Sequence, residues 1–573
     1  MTELIGFLLF AICCFFAAGL AFHVQKQLKL SQCRSLPAQA ASIRFANKRA
    51  KRSDPAQLPP THPPQRNKLS GLAAFGFSFA NLPLLIGAAF MIAPAVAYAG
   101  PIVIGVGWPL LAFFSLIVAC SVASLASAVP KSGGCYHWSA VYIELLLPRT
   151  SASHLQRIQL ASGWLFAAGQ ILILSSVNLM LSSWLSRIVA YWSGADQAAA
   201  LFWLFFFLLA GTQLYMHNRK SRVLGQIFAG SAWITVAAIA VIVASLAIFD
   251  WPGIYPVRLL YMPQHPANIF TAGSPATSFL LGLMLLLKVF IGAGSAAQLA
   301  EETAEPRLHV PWAIYLSVVY AFIFGFVLFA ILLLYLPDMF AGQIYWLRLT
   351  DWLVTRVSGT AGWLMAVMIG TITASGWCCG LSALTAAARM WHEMAKDGVL
   401  PQSARLSQLS RTVAAPSQAA CCAAAASASI SVCVCLSLGW EGMAERIWIA
   451  FAGLSIIVIH LAYLLPIACK RLAYRKARGC AAQFEGPWRL GKGGLFIDLT
   501  ALCWLTATIV GSALLLPAAT LWWGCGMFVL IGMMIEYEIW RRPGNKTLSG
   551  SASTIAGNMP AGRNIRIERK FPQ

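Results

Sequence analysis

Charge is scarce in this chain. Only 10% of its 573 residues are Asp, Glu, Lys or Arg, against about a quarter in an ordinary soluble domain. So little charge cannot give water a surface to solvate, which excludes a soluble globular fold. Metal-binding patterns are missing as well: the fifteen cysteines show no zinc or haem spacing, and most sit inside apolar runs as small packing residues, Cys378-Cys379, Cys421-Cys422, Cys433 and Cys435 among them. A membrane enzyme would need a constellation such as His with carboxylates on facing helices. None is found, because Trp391-His392-Glu393 stands as an isolated pair. No ring-forming polar filter suggests a channel. No catalytic residue, metal or cofactor is expected.

What fills the chain is hydrocarbon. Hydrophobic residues make up 59% of it, and the mean hydropathy is +0.71. A membrane-crossing helix needs about 20 apolar residues. Segments of that kind follow at 71–98, 102–128, 160–191, 198–216, 223–248, 276–300, 311–336, 360–388, 417–438, 444–468, 495–517 and 519–540, which makes twelve. The expected architecture is therefore an all-α polytopic membrane protein with twelve transmembrane helices at 70–540.

The formal net charge of +22 does not imply nucleic acid, because the cations fall in short clusters between apolar segments. Arg219, Lys220 and Arg222 form one cluster, and Lys470, Arg471, Arg475, Lys476 and Arg478 another. Clusters of this kind hold loops in the cytoplasm. They recur on every second loop, whereas the opposite loops offer few, such as Arg258, Arg348 and Arg356. Both ends of the twelve-helix core are thus assigned to the cytoplasm, including the tail 541–573. The sequon Asn545-Lys546-Thr547 then lies on the wrong side for glycosylation. Trp251, Trp346, Trp352, Trp522, Trp523 and Trp540 lie near segment ends and read as an interfacial belt.

Ahead of the core, residues 1–22 are apolar and 23–69 are basic and Pro-rich, with Lys48-Arg49, Lys51-Arg52, Pro59-Pro60 and Pro63-Pro64. The second stretch is too polar to pack and is expected to be disordered. A signal peptide carries its basic region first. Here Glu3 precedes the apolar run and the cations follow it, which favours an anchor with its N-terminus outside.

Lipid tolerates interrupted helices only where they line a cavity, and interruptions at matching positions of two halves point to a binding site. The first segment contains Ile86, Gly87, Ala88 and Ala89 after Pro83, which lacks a helix donor. The sixth contains Phe290, Ile291, Gly292, Ala293, Gly294 and Ser295. Small residues also serve close helix packing, but their matched places favour two unwound stretches around a small solute. Gln170 and Ser375 can add polar contacts from segments three and eight, although interhelical hydrogen bonds would explain them equally. Lys288, costly to bury, stands just before the second interruption, where it can meet a substrate carboxylate, replace a coupling cation, or reach an aqueous vestibule. His460 reads as a hydrogen-bonded structural residue. Glu301 and Glu302 end segment six at its cytoplasmic mouth, either as a solvated turn or as carboxylates that lock to Arg389 or Arg307.

The stretch from Ser124 through Pro130, Ser132-Gly133-Gly134 and Tyr136 to Trp138 resembles the second-helix signature of amino acid permeases, in particular the amino acid/choline branch with its GABA permeases. Four further blocks agree in order: Phe290 to Glu302, Ala387 to Pro401, Ala462 to Pro466, and Gly486 to Gly494. The resemblance covers about 69–540. It implies the amino acid/polyamine/organocation superfamily and a LeuT-like fold of two inverted five-helix repeats plus two peripheral helices. It also implies alternating access by a secondary symporter, with proton coupling by analogy, at the plasma membrane. In that fold, helices one and six break around the substrate and present half-helix N-termini to a carboxylate. This chain departs from the pattern after Gly292: relatives often carry Tyr-Asp, whereas here Ala293-Gly294 follows. Without that carboxylate, simple cations such as choline are expected to be poor substrates. The expected function is transport of amino acids or related small nitrogen compounds; the alternatives are a nutrient receptor that keeps the fold without transporting, or a GABA, choline or polyamine permease.

Overall fold

The computed structural model describes residues 2–50, 68–144, 146, 152–193, 198–249, 255–263, 274–335, 362–410, 415–438, 443–476 and 485–541. The helices fall where the hydropathy places them, because a backbone without water must bond within its own segment. The first apolar segment divides into α2 (Gly71–Ala80), α3 (Leu84–Phe90) and α4 (Ile92–Ala99). A π-helical turn at Val103–Gly107 leads into α5 (Trp108–Ala128), and α6 (Gly134–Glu144) lies in the following loop. Three long helices complete the first half: α7 (Ala152–Ser193), α8 (Ala198–His217) and α9 (Ser221–Phe249).

The sixth segment is α10 (Pro275–Leu287), a run of turns, and a 3₁₀ stretch at Ala293–Leu299. Then follow α11 (Pro306–Tyr335), α12 (Gly362–Lys396), α13 (Ser417–Leu438) and α14 (Met443–Lys476). The last pair is α15 (Gly494–Leu515) and α16 (Ala518–Arg541). Among the described residues, 12 helices are long and apolar enough to cross a membrane. That set includes the N-terminal Glu3–Gln27 and omits Pro275–Leu287, which has 13 residues because the second interruption cuts it short.

Two groups share the core. The long helix α7 packs against α12 and α14, while α5 packs against α11, and α2 touches both α11 and the 3₁₀ stretch. Helices α15 and α16 stay peripheral, with Leu514, Trp522 and Trp540 strongly exposed. Trp251, Trp346 and Trp352 lie outside the described residues.

The N-terminal helix α1 (Thr2–Ala50) continues through residues 23–50, where the sequence analysis expects disorder. Leu, Gln, Ala and Lys dominate that stretch and favour helix; the paired prolines lie beyond it, outside the described residues. The start of α1 meets Tyr261 at Gly6, and His23 approaches Gly491. It therefore runs along the bundle from the end near Tyr261 to the end near Gly491. Phe10 meets Phe322 and Phe326 at ring-centroid distances of 5.1 and 4.7 Å, and the Tyr315 hydroxyl donates to Ala17 O at 2.5 Å.

The cysteines divide in a way periodicity did not show. Cys120, Cys135, Cys378, Cys379 and Cys435 are buried, but Cys421, Cys422 and Cys433 are exposed on α13. They do not pack in the core, because α13 is a peripheral helix with a wide exposed side.

Candidate functional site

Both interruptions exist, and the first lies earlier than the glycine pattern indicated. Helix α2 ends at Ala80, the chain turns at Asn81–Pro83, and α3 restarts at Leu84. Ile86, Gly87, Ala88 and Ala89 are helical: Gly87 N donates to Pro83 O (2.7 Å) and Met91 N to Gly87 O (2.9 Å). Proline sets the break because it lacks the donor, whereas glycine keeps its N–H and has no water to compete for it. Gly87 instead provides close packing, since a Cβ there would lie 2.9 Å from Val289 Cγ2.

At the second interruption, Phe290, Ile291 and Gly292 lie in the turns after α10, and Ala293, Gly294 and Ser295 begin the 3₁₀ stretch. Phe290 is held by Trp108, with ring centroids 4.6 Å apart. The two breaks touch through backbone: a Cβ on Gly292 would stand 2.3 Å from Asn81 O. The Ser78 hydroxyl donates to Ala293 O and lies 3.0 Å from Ser317 Oγ.

Around this junction, buried polar atoms outnumber their partners. Asn81 Nδ2 donates to Gln170 Oε1 at 3.0 Å, leaving Asn81 Oδ1 and Gln170 Nε2 unbonded. Turning both amides over leaves the opposite pair free, so one donor and one acceptor remain in either orientation. Asn81 is 1% and Gln170 0% exposed, and Ser295 Oγ is also buried without a partner. Structures rarely leave such groups unsatisfied, since each costs about 1–3 kcal/mol. Ser375 is buried beside Gly376, whose missing Cβ would meet Ile86 Cδ1 at 2.6 Å.

On the side of the second break that faces α5, α14 and α15 lies a cavity of about 20 Å³, bounded partly by Phe290, Gly294, His460, Tyr463 and Trp504, large enough for roughly one water. Lys288 is 1% exposed and donates from Nζ to Ser455 Oγ at 2.7 Å; among the described residues it pairs with no carboxylate. His460 Nδ1 lies 2.8 Å from Thr508 Oγ1, a structural hydrogen bond.

The end of the bundle that cation placement assigns to the cytoplasm is latched. Glu302 Oε1 lies 2.7 Å from Arg389 Nη2, and among the described residues Arg307 takes no part in an ion pair. Leu69 N donates to Glu302 O (2.7 Å) and Ala304 N to Leu69 O (2.9 Å), strapping the chain before α2 to the inner end of helix six. The loop after α5 closes on the same end: Gly133 N donates to Gln298 Oε1 at 2.9 Å and Glu301 N to Ser132 Oγ at 3.4 Å. Gly133 adopts φ +85°, and a Cβ there would stand 3.1 Å from Glu393 Cβ. Positive φ and close approach together call for glycine.

Sequence reasoning missed several members of this latch. Glu393 is not isolated: it lies 2.6 Å from Lys396 Nζ and 3.6 Å from His137 Nε2, and Lys396 reaches Glu301 at 3.8 Å. Tyr136 donates to Asp397 Oδ2 at 2.8 Å. His392 faces away, with Nδ1 at 3.1 Å from Leu406 O. Tyr136 and His137 belong to the second-helix signature block, the one available signal for them. Burial pushes the Glu301 carboxyl above its ordinary value of 4.5, Glu393 adds to the rise, and Lys396, His137 and Lys131 oppose it.

Two helices interrupted five apart in an all-helical membrane bundle, with a latch on their inner side, define a LeuT-like carrier. A family model described as amino acid permease matches residues 69–536, and the chain belongs to that family, within the amino acid/polyamine/organocation superfamily. The chain is 24% identical over 473 residues to the amino-acid permease BAT1 of Arabidopsis thaliana, covering 78% of this chain and 85% of that protein. It is 22% identical over 457 residues to a choline transporter of Saccharomyces cerevisiae, covering 78% and 75%. A GABA-specific permease of the same yeast is 34% identical over 77 residues, 13% of each chain.

Proposed function

We propose that this protein carries an amino acid or a closely related zwitterion across the membrane by alternating access, with the solute held between the breaks at Asn81–Pro83 and 288–292. One observation carries the reading. Where the two breaks meet, the Asn81–Gln170 amide pair keeps one buried donor and one buried acceptor without partners, a pairing that suits a solute carrying both a carboxylate and an ammonium. Backbone contact between Gly292 and Asn81 closes the junction, so loading requires the two helix groups to separate. Gln170, Ser295 and Ser375 offer polar contacts, and Phe290 and Ile291 shape the apolar side. Lys288 is the ionisable group at the second break. Its ammonium touches a single hydroxyl, which suits a proton carrier and supports coupling to protons.

The test is uptake of labelled amino acids, GABA, polyamines and choline into proteoliposomes, with and without an imposed pH gradient. An amino acid is expected to accumulate with the gradient, and Lys288→Met to abolish the dependence on it. Choline is expected to compete poorly, because Ala293-Gly294 supplies no carboxylate. Specific binding without any flux would select the receptor reading in place of transport. The same reading assigns the protein to the plasma membrane, which fluorescence of the tagged full chain in its native cell checks.

A further inference from the structure

Between α5, α14 and the start of α15, at the cytoplasmic end, lies an open cavity of about 1110 Å³. None of its lining residues belongs to the two breaks. Four cations, Lys470, Arg471, Arg475 and Arg489, face it together with two carboxylates, Glu485 and Asp498, a surplus of two positive charges. Its base is built rather than incidental. Asp498 is 0% exposed, accepts from Ser121 Oγ at 2.6 Å, and holds Lys470 Nζ at 3.0 Å and Arg471 Nη1 at 3.4 Å. Lys470 also donates to Ser124 Oγ at 2.7 Å. These bonds fix the positions of two cationic heads before any ligand arrives. Arg475 is exposed and pairs with no carboxylate among the described residues, and Arg489 lies 3.7 Å from Glu485 with half its surface free.

One wall of the cavity is apolar and exposed. Leu472, Leu495 and Leu499 line it and are 49%, 51% and 48% exposed. A soluble phosphate would use the cations and leave that wall wet; a lipid would use both. We propose that this cavity holds the phosphate headgroup of an anionic phospholipid from the cytoplasmic leaflet, with its acyl chains lying along Leu472, Leu495 and Leu499. The cytoplasmic leaflet is where anionic lipids gather and attract basic clusters beside transmembrane helices.

The purified full chain, stripped of lipid in a neutral detergent, is titrated with phosphatidylserine, phosphatidylcholine or the acyl-free headgroup glycerophosphoserine, and its thermal unfolding midpoint is read. Phosphatidylserine is expected to stabilise at concentrations roughly tenfold below phosphatidylcholine, with glycerophosphoserine weaker than either. At about fivefold per cation near a charged lipid surface, Arg475→Gln with Arg489→Gln should weaken the phosphatidylserine response by roughly ten- to thirtyfold and the phosphatidylcholine response by clearly less, since its ammonium already offsets the phosphate charge. Should that pair not fold, Arg475→Gln alone, at an exposed position, should show about a fivefold loss. Equal responses to both lipids, or an unchanged response in the variants, would overturn the proposal. Glycerophosphoserine matching the intact lipid would replace it with a soluble phosphorylated ligand.

Discussion

Gly292 is where the turn of one interrupted helix meets a backbone carbonyl of the other. A Cβ there would stand 2.3 Å from Asn81 O, and a carbonyl in a packed backbone cannot swing aside as a long side chain can. Gly292→Ala is therefore expected to force the breaks apart at a cost of about 1–3 kcal/mol and to lower uptake at least tenfold while the protein remains monodisperse; transport at the native rate would contradict this contact. Glu301 gives a pH prediction at the same scale. Because burial and Glu393 raise its carboxyl in the latched arrangement, the protonated form is the one the latch favours. That contribution is complete below the ordinary value of 4.5 and fades as pH rises through the raised one. Hydrogen exchange of segments 68–70 and 132–134 should therefore accelerate with rising pH beyond the intrinsic rate. Glu301→Gln should remove the excess; an excess that survives the substitution places its origin in another group.

The inner latch belongs to the scale of elements, since it joins the chain before α2, the loop after α5, the end of helix six and α12. Leu69 donates its N–H to Glu302 O, and proline at that position would delete the donor while keeping an extended backbone. Leu69→Pro is expected to loosen the inner side, raising exchange at 132–134 several-fold for the loss of about 1 kcal/mol. Unchanged exchange there would mean that the strap carries no weight in closure. The sequence contained the parts of this latch, namely Glu301, Glu302, Arg389 and the Ser132-Gly133-Gly134 loop, but not their pairing. Arg307 lies far nearer to Glu302 along the chain than Arg389 does, and only the packing of α12 beside helix six selected Arg389. For the same reason Glu393 looked isolated on its helix, although His137, some 250 residues earlier in the chain, lies against it.

For the whole molecule, the proposed alternating access requires the group containing helices one and six to move against the group built on α7, α12 and α14. Joining Ser132→Cys to Glu301→Cys with a short cleavable thiol reagent should therefore abolish uptake, and cleavage should restore it. The native protein treated alike serves as control for exposed cysteines such as Cys421 and Cys503. Undiminished uptake in the linked protein would show that the inner side need not open there. The extent of most crossings was legible in the chain, because length and hydropathy answer to the bilayer alone. The presence of two interruptions was legible too, since Pro83 and the run at Gly292 are local chemistry. Three things were decided only by the tertiary structure: that the first break sits at Asn81–Pro83 and leaves Gly87 helical, that Gln170 meets Asn81, and that α13 turns Cys421, Cys422 and Cys433 outward. Each depends on which helices become neighbours, and neighbours are chosen by packing across hundreds of residues rather than by any local run of sequence.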